Sequence, residues 1–165
     1  MEETQFKEML SELVFELNKN NITIGTSEHC TCGLVGATIA SIANLTLGKK
    51  YRGSIVTNCD DNLINLLDVS PNAIKNNGVV SSQVACQMAV GGLYKMNVDL
   101  CIAIVGDIKS GVVWLCTARQ GEKVLDFRYK QLLLENVSSN SEKYNKVIEE
   151  AIEIALLHVE EKNNG

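Results

Sequence analysis

The densest group of potentially reactive side chains in the sequence is Glu28-His29-Cys30-Thr31-Cys32-Gly33. A carboxylate, an imidazole, two thiols and a hydroxyl stand together here. Imidazole titrates where a general base for water must. A thiol is a nucleophile once a neighbour lowers its pKa. A mixed histidine–cysteine set suits a soft metal. Asn58-Cys59-Asp60 and Gly106-Asp107 are two further polar groups, each directly following an apolar stretch.

The surrounding pattern places all three groups at strand ends. Ile22 to Thr26 reads as a short strand, and Gly33 to Leu45 as a helix of small residues that lies close against a sheet and is buried. Lys50 to Thr57 is the next strand, completing a β-α-β unit with a right-handed crossover. Ligands of open α/β sheets bind in the crevice past the carboxyl ends of the strands. The free N–H groups of a first helical turn favour an anion such as phosphate there. Glu28, His29, Cys30, Thr31, Cys32 and Gly33 sit at that mouth, bordered by Asn58 and Gly106, with Asp107 facing the same crevice.

The remaining elements follow from periodicity and capping. Phe6, Met9, Leu10, Leu13, Val14 and Leu17 form one helical face. Asp60 to Leu67 is a short helix. Ser70-Pro71 opens another that Gly78 closes. Ser81 caps a longer helix through Lys95, whose last turn the Gly91-Gly92 pair weakens. Val98 to Val105 is nearly all apolar, as in a strand covered on both faces. Val112 to Ala118 and Lys123 to Leu133 form a hairpin about Gln120-Gly121. Ser139 and Glu142 have capping-box spacing, and Tyr144, Val147, Ile148, Ala151, Ile152, Ala155, Leu156 and Val159 form the stripe of a last helix. The order is α-β-α-β-α-α-α-β-β-β-α. It implies an α/β protein, a three-layer α/β/α sandwich with a mixed, mostly parallel sheet.

Composition narrows the class. The 165 residues are 45% hydrophobic and 21% charged, with a net charge of −5. A chain of this length buries roughly 70% of its extended surface, so 1–165 reads as a single domain. No basic stripe invites nucleic acid, and no apolar run reaches membrane-spanning length. The acidic Met1-Glu2-Glu3-Thr4 is not a secretory signal. The six cysteines, Cys30, Cys32, Cys59, Cys86, Cys101 and Cys116, form no framework and read as reduced thiols of a cytoplasmic protein. Cys86, Cys101 and Cys116 read as core, Trp114 as packing, and His158 as solvated beside Glu160 and Glu161.

Ser27-Glu28-His29-Cys30-Thr31-Cys32-Gly33-Leu34 resembles the Ala-Glu-Ser-Cys-Thr-Gly-Gly-Leu run of the CinA C-terminal domain family, the bacterial competence/damage-inducible and nicotinamide-mononucleotide deamidase proteins. Gly53-Ser54-Ile55-Val56-Thr57 with Leu66-Leu67-Asp68-Val69, Gly78-Val79-Val80-Ser81 and Gly111-Val112-Val113-Trp114 resemble further family segments in the same order. The resemblance implies an α/β/α fold, a homo-oligomer, and hydrolysis of the nicotinamide carboxamide to release ammonia. It also implies a serine nucleophile activated by a lysine, with a tyrosine nearby.

At the matching positions the serine is His29, the tyrosine Asn58 and the lysine Leu63. A family threonine is Val105, the first glycine after the shared threonine is Cys32, and two arginines fall on Tyr144 and Ile148. The glycine- and proline-rich loop is shortened to Asp107-Ile108-Lys109-Ser110. A leucine accepts no proton, and losing a nucleophile removes rate by factors of roughly a million in a triad enzyme. The expectation is a catalytically inactive homologue that binds a small anionic ligand such as a pyridine nucleotide at Glu28 to Gly33, Asn58 and Gly106. It has no catalytic residue, metal or cofactor. The alternative is an active amidohydrolase rebuilt around His29, oriented by Glu28 or Asp60. Three further readings stay open: a His29/Cys30/Cys32/Cys59 metal site, a Cys30–His29 dyad, and a structural protein whose cavity Cys32 has filled.

Overall fold

The computed structural model describes residues 1–46 and 49–161, with 44–46 described by their backbone alone. Residues 47–48 and 162–165, which the single-domain expectation also covers, lie outside the described residues. The elements are α1 (Glu3–Lys19), β1 (Ile24–Glu28), α2 (Leu34–Thr46), β2 (Tyr51–Val56), α3 (Asp60–Leu67), α4 (Pro71–Asn77), α5 (Ser82–Met96), β3 (Leu100–Asp107), β4 (Val112–Arg119), β5 (Asp126–Leu133) and α6 (Asn140–Glu160). Their order is the one the sequence pattern implies.

The strands form one sheet in the order β2-β1-β3-β4-β5. β1 is parallel to β2 and to β3, whereas β3–β4 and β4–β5 are antiparallel. The sheet is therefore mixed but evenly divided, which corrects the expectation of a mostly parallel one. The cause is loop length: the short links after β3 and β4 can only turn the chain back on itself. From β1 the chain moves outward to β2 and then returns to β3 on the other side. The gap between β1 and β3 is thus the point where strand order reverses.

β3 distributes its side chains to two cores. Leu100, Ile102 and Ile104 pack with α1, α2 and α6, while Cys101, Ala103 and Val105 pack with α3, α4 and α5. This period-2 alternation with helices on both faces is why the strand reads as continuously apolar. Trp114 is half-buried against the second core.

Several boundaries move for identifiable reasons. β1 begins two residues later than expected because Thr23 is tied to Asp99, whose carboxylate accepts from its N–H and hydroxyl, each at 2.9 Å. β3 likewise runs on through Gly106 and Asp107, which pair with Val113 and Val112. The turn at Gln120-Gly121 does not form: Arg119 pairs with Asp126, and the connection spans 120–125. α2 is buried on one face only, through Val35, Ile39 and Ala43, while Leu34 and Ala37 are exposed. Gly36 lets it approach closely, since a Cβ there would lie 2.0 Å from Ser54 Oγ. α5 runs through the Gly91-Gly92 pair to Met96, and a Cβ on Gly91 would stand 1.9 Å from the Leu67 carbonyl oxygen. The two glycines are the price of packing α5 against its neighbours.

His158 is not solvated. It is 1% exposed, and its Nδ1 lies 2.7 Å from Thr117 Oγ1 and its Nε2 3.4 Å from Asp126 Oδ2. Arg119 crosses beside it and donates to the His158 and Val159 carbonyls at 2.8 and 3.1 Å. A cation on the last carbonyls of α6 suits the helix dipole. The acidic neighbours in sequence misplace His158 because it stands one residue before Val159, on the edge of the buried stripe.

Candidate functional site

Thr26, Ser27 and Glu28 are polar residues at the end of a central strand, and all three are fully buried. A buried carboxylate needs donors for its lone pairs. Glu28 Oε1 accepts from Thr31 Oγ1 at 2.6 Å and Val35 N at 3.0 Å, and Oε2 from Thr26 Oγ1 at 2.8 Å and Gly36 N at 2.9 Å. The chain continues outward, with Ser54 Oγ 2.5 Å from Thr26 Oγ1 and Tyr51 OH 2.6 Å from Ser54 Oγ. Glu28 is thus the anion at the start of α2. Leu34 N bonds to the Thr31 carbonyl and Ala37 N to that of Gly33, so the first turn offers no free donor to a phosphate. The expectation of an open helix N-terminus is corrected on this point.

Beyond Glu28 the chain opens into a cleft of about 620 Å3 at the carboxyl ends of β1 and β3. This is the reversal point of the strand order, where such sheets place their ligands. Of the residues the sequence singles out, His29, Cys30, Cys32, Asn58 and Gly106 line the cleft, together with Asp60, Asp107 and Tyr144. Glu28 and Thr31 are buried behind it, and Gly33 turns the chain into α2 with φ +91°. Cys32 stands exposed on the rim with φ +51°, so it leaves the hollow open instead of filling it.

The ring of His29 is half-buried. Burial holds its pKa below the ordinary value, while a hydrogen bond with the Gly106 backbone and the carboxylates of Asp60 and Asp107 pull the other way. It is neutral at pH 7. Its Nδ1 is buried without a hydrogen-bond partner. Burial pushes the Cys30 thiol up to about 12, so Cys30 carries no thiolate near neutrality and the Cys30–His29 dyad has no activated sulfur. Cys59 begins α3 as an exposed residue outside the cleft lining. Among the described residues, no three of the His, Cys, Asp and Glu side chains come together in a way that could hold a metal.

The other substituted positions separate. Leu63 is fully buried in the second core, and Val105 is buried on β3. Tyr144 borders the cleft, whereas Ile148 packs against the first core away from it.

Two lysines complete the site. Lys109 lines the cleft and is its basic side chain among the described residues. Its loop is shaped by Asp107 Oδ1, which accepts from Lys109 N at 2.9 Å. Lys143 is buried on α6 and donates to the Ile108 and Lys109 carbonyls, each at 3.1 Å. It clamps the loop from behind. A loop lysine leaves no periodic signal, so Lys109 gives none to sequence reading. Lys143 does leave one, because it precedes Val147 by four positions on the apolar stripe.

Known proteins resemble this chain in sequence and in fold. The model of the CinA C-terminal domain matches residues 6–161. A competence-damage inducible protein of Listeria innocua is 36% identical over 104 residues, covering 63% of this chain and 24% of that protein. A CinA-like protein of Dictyoglomus thermophilum is 34% identical over 104 residues with the same shares. The chain spans about a quarter of the length of these curated relatives. Among solved structures, a CinA superfamily protein from Enterobacter cloacae superposes with TM-score 0.83 at 19% identity, covering 93% of this chain and 92% of that one. A competence/damage inducible protein from Agrobacterium tumefaciens gives 0.82 at 21% identity, with 93% and 94% covered.

Proposed function

The chain belongs to the CinA C-terminal domain family, and from that premise we propose that it is a cytoplasmic bacterial binding protein whose cleft holds a small nucleotide without hydrolysing it. One observation carries the reading: the cleft is open, yet the position of the family base is Leu63, fully buried in the core. A proton-accepting side chain is absent from that place, and the imidazole of His29 stands where the serine would be. What the cleft retains is recognition chemistry. Lys109 supplies a cation for a phosphate, and Asp60 and Asp107 supply acceptors for ribose hydroxyls or a cationic ring. A pyridine nucleotide carries all three groups.

The test is thermal melting with nicotinamide mononucleotide. A ligand at 100 times its Kd raises stability by about 2.7 kcal/mol, so the melting temperature should rise by several degrees. Lys109→Ala should abolish the rise while leaving the unliganded melt unchanged. An unchanged melt with ligand present at millimolar concentration contradicts the proposal.

A second reading is favoured by the bare, buried Nδ1 of His29. A neutral imidazole flanked by Asp60 and Asp107 is a base for water, and the protein would then be an amidohydrolase. Ammonia released by the unaltered protein but not by His29→Ala would support it.

The proposal includes self-association. Phe127, Tyr129 and Leu133 alternate along the exposed side of edge strand β5, and a second copy would cover them.

A further inference from the structure

Away from the cleft, a separate groove of about 310 Å3 runs between α5, the end of α3 and β5, lined by Leu67, Cys86, Val90, Tyr94 and Phe127 among others. Its walls are mostly apolar, with Asp68 and Gln87 the polar members of the lining, and Cys86 is half-buried in them. Behind Cys86, on β4, lies the fully buried Cys116, whose S–H donates to Cys86 Sγ at 3.2 Å. The two sulfurs stand closer than two unbonded sulfur atoms ordinarily pack. They need approach by only about 1.2 Å to reach the roughly 2.05 Å of a disulfide bond. One thiol therefore borders a groove, and the other is sealed in the core behind it.

We propose that Cys86 and Cys116 form a two-cysteine exchange site, in which Cys86 attacks small uncharged disulfides entering the groove and Cys116 resolves the product. The donated hydrogen bond lowers the Cys86 pKa, and the same bond with burial raises that of Cys116. Attack therefore begins at the outer sulfur. The Cys86 thiolate bonds to one sulfur of R–S–S–R, and the S–S bond breaks with its electron pair leaving on RS−. Cys116 then gives up its proton and bonds to Cys86 Sγ, expelling the second RS−. The protein loses two electrons and two protons, and the small disulfide is reduced to two RSH. A reversible bond of this kind joins α5 to β4. The other thiols lack the arrangement: burial raises Cys30 and Cys101 to about 12, and Cys32 and Cys59 are exposed outside the groove.

The experiment equilibrates the reduced full chain with 2-hydroxyethyl disulfide, quenches in denaturant with an alkylating agent and maps the peptides. Expected are the peptides of Cys86 and Cys116 recovered joined to each other, while exposed Cys32 and Cys59 carry either the alkyl group or a hydroxyethylthio group. In Cys116→Ser, Cys86 should hold one hydroxyethylthio group. In Cys86→Ser, Cys116 should remain an alkylatable thiol. The proposal is overturned if Cys86 and Cys116 are both alkylated under conditions that modify Cys32 and Cys59. A stable adduct on Cys86 in the unaltered protein would equally overturn it.

Discussion

Glu28 shows how one side chain can set both a fold and its site. It spends its four acceptor positions on two hydroxyls and two helix N–H groups. Replacing it leaves buried donors unpaired. Glu28→Gln should lower unfolding stability by about 2–4 kcal/mol in urea denaturation, with the loss present even without ligand. Cys32 works the other way. Its φ of +51° costs an L-residue roughly 1–2 kcal/mol. Cys32→Gly should therefore stabilise the protein by about 0.5–1 kcal/mol after the added unfolded-state entropy is subtracted, read as a higher urea midpoint.

His158 makes the third residue-scale prediction. Burial depresses its pKa to about 4 from an ordinary 6.5, against the pull of Asp126, while Arg128 and Arg119 add to the lowering. The folded protein thus holds the ring neutral where the unfolded chain would protonate it. Stability is full above pH 6.5 and declines as pH falls toward 4, by an amount on the order of 3 kcal/mol. Denaturation midpoints across that range should show the decline, and His158→Gln should flatten it.

At the scale of elements, local pattern was a sufficient guide wherever an element's fate is decided by its own residues. α1 and α6 carry unbroken apolar stripes, α4 starts at Pro71 after Ser70, and Ser81 and Ser139 cap α5 and α6 through Val84 N and Glu142 N, each at 3.2 Å. Local pattern gave less where partners distant in sequence decide. The polar end of β1 is a strand because β2 and β3 pair with it on both sides, and its carboxylate is buried with donors from Thr26, Thr31 and α2. β1 starts late because Asp99 holds Thr23. His29, Cys30, Cys32, Asn58 and Gly106 were legible as cleft residues because strand ends are legible. Lys109 was not, since a loop lysine carries no periodic signal, and although Lys143 falls on the apolar stripe, its clamp depends on how α6 meets the 107–111 turn. That clamp is testable: Lys143→Met should cost about 1–3 kcal/mol and speed amide hydrogen exchange at 108–110, leaving β1 amides protected.

For the molecule as a whole, the strand order places its reversal beside β1 and so fixes the cleft, whatever fills it. Similarity to solved CinA structures at TM-scores of 0.82 and 0.83 shows that this scaffold tolerates wide sequence change. Sedimentation velocity on the unaltered protein and on Phe127→Glu reports the proposed self-association. A larger species that the substitution dissociates is expected, and identical sedimentation of the two would contradict it.

The central claim is that recognition persists here without the reacting atoms. It is tested most directly by incubating the purified chain with nicotinamide mononucleotide and measuring ammonia. The account predicts release no faster than in protein-free buffer, with the nucleotide recovered intact. Sustained release that tracks protein concentration and disappears in His29→Ala would contradict it.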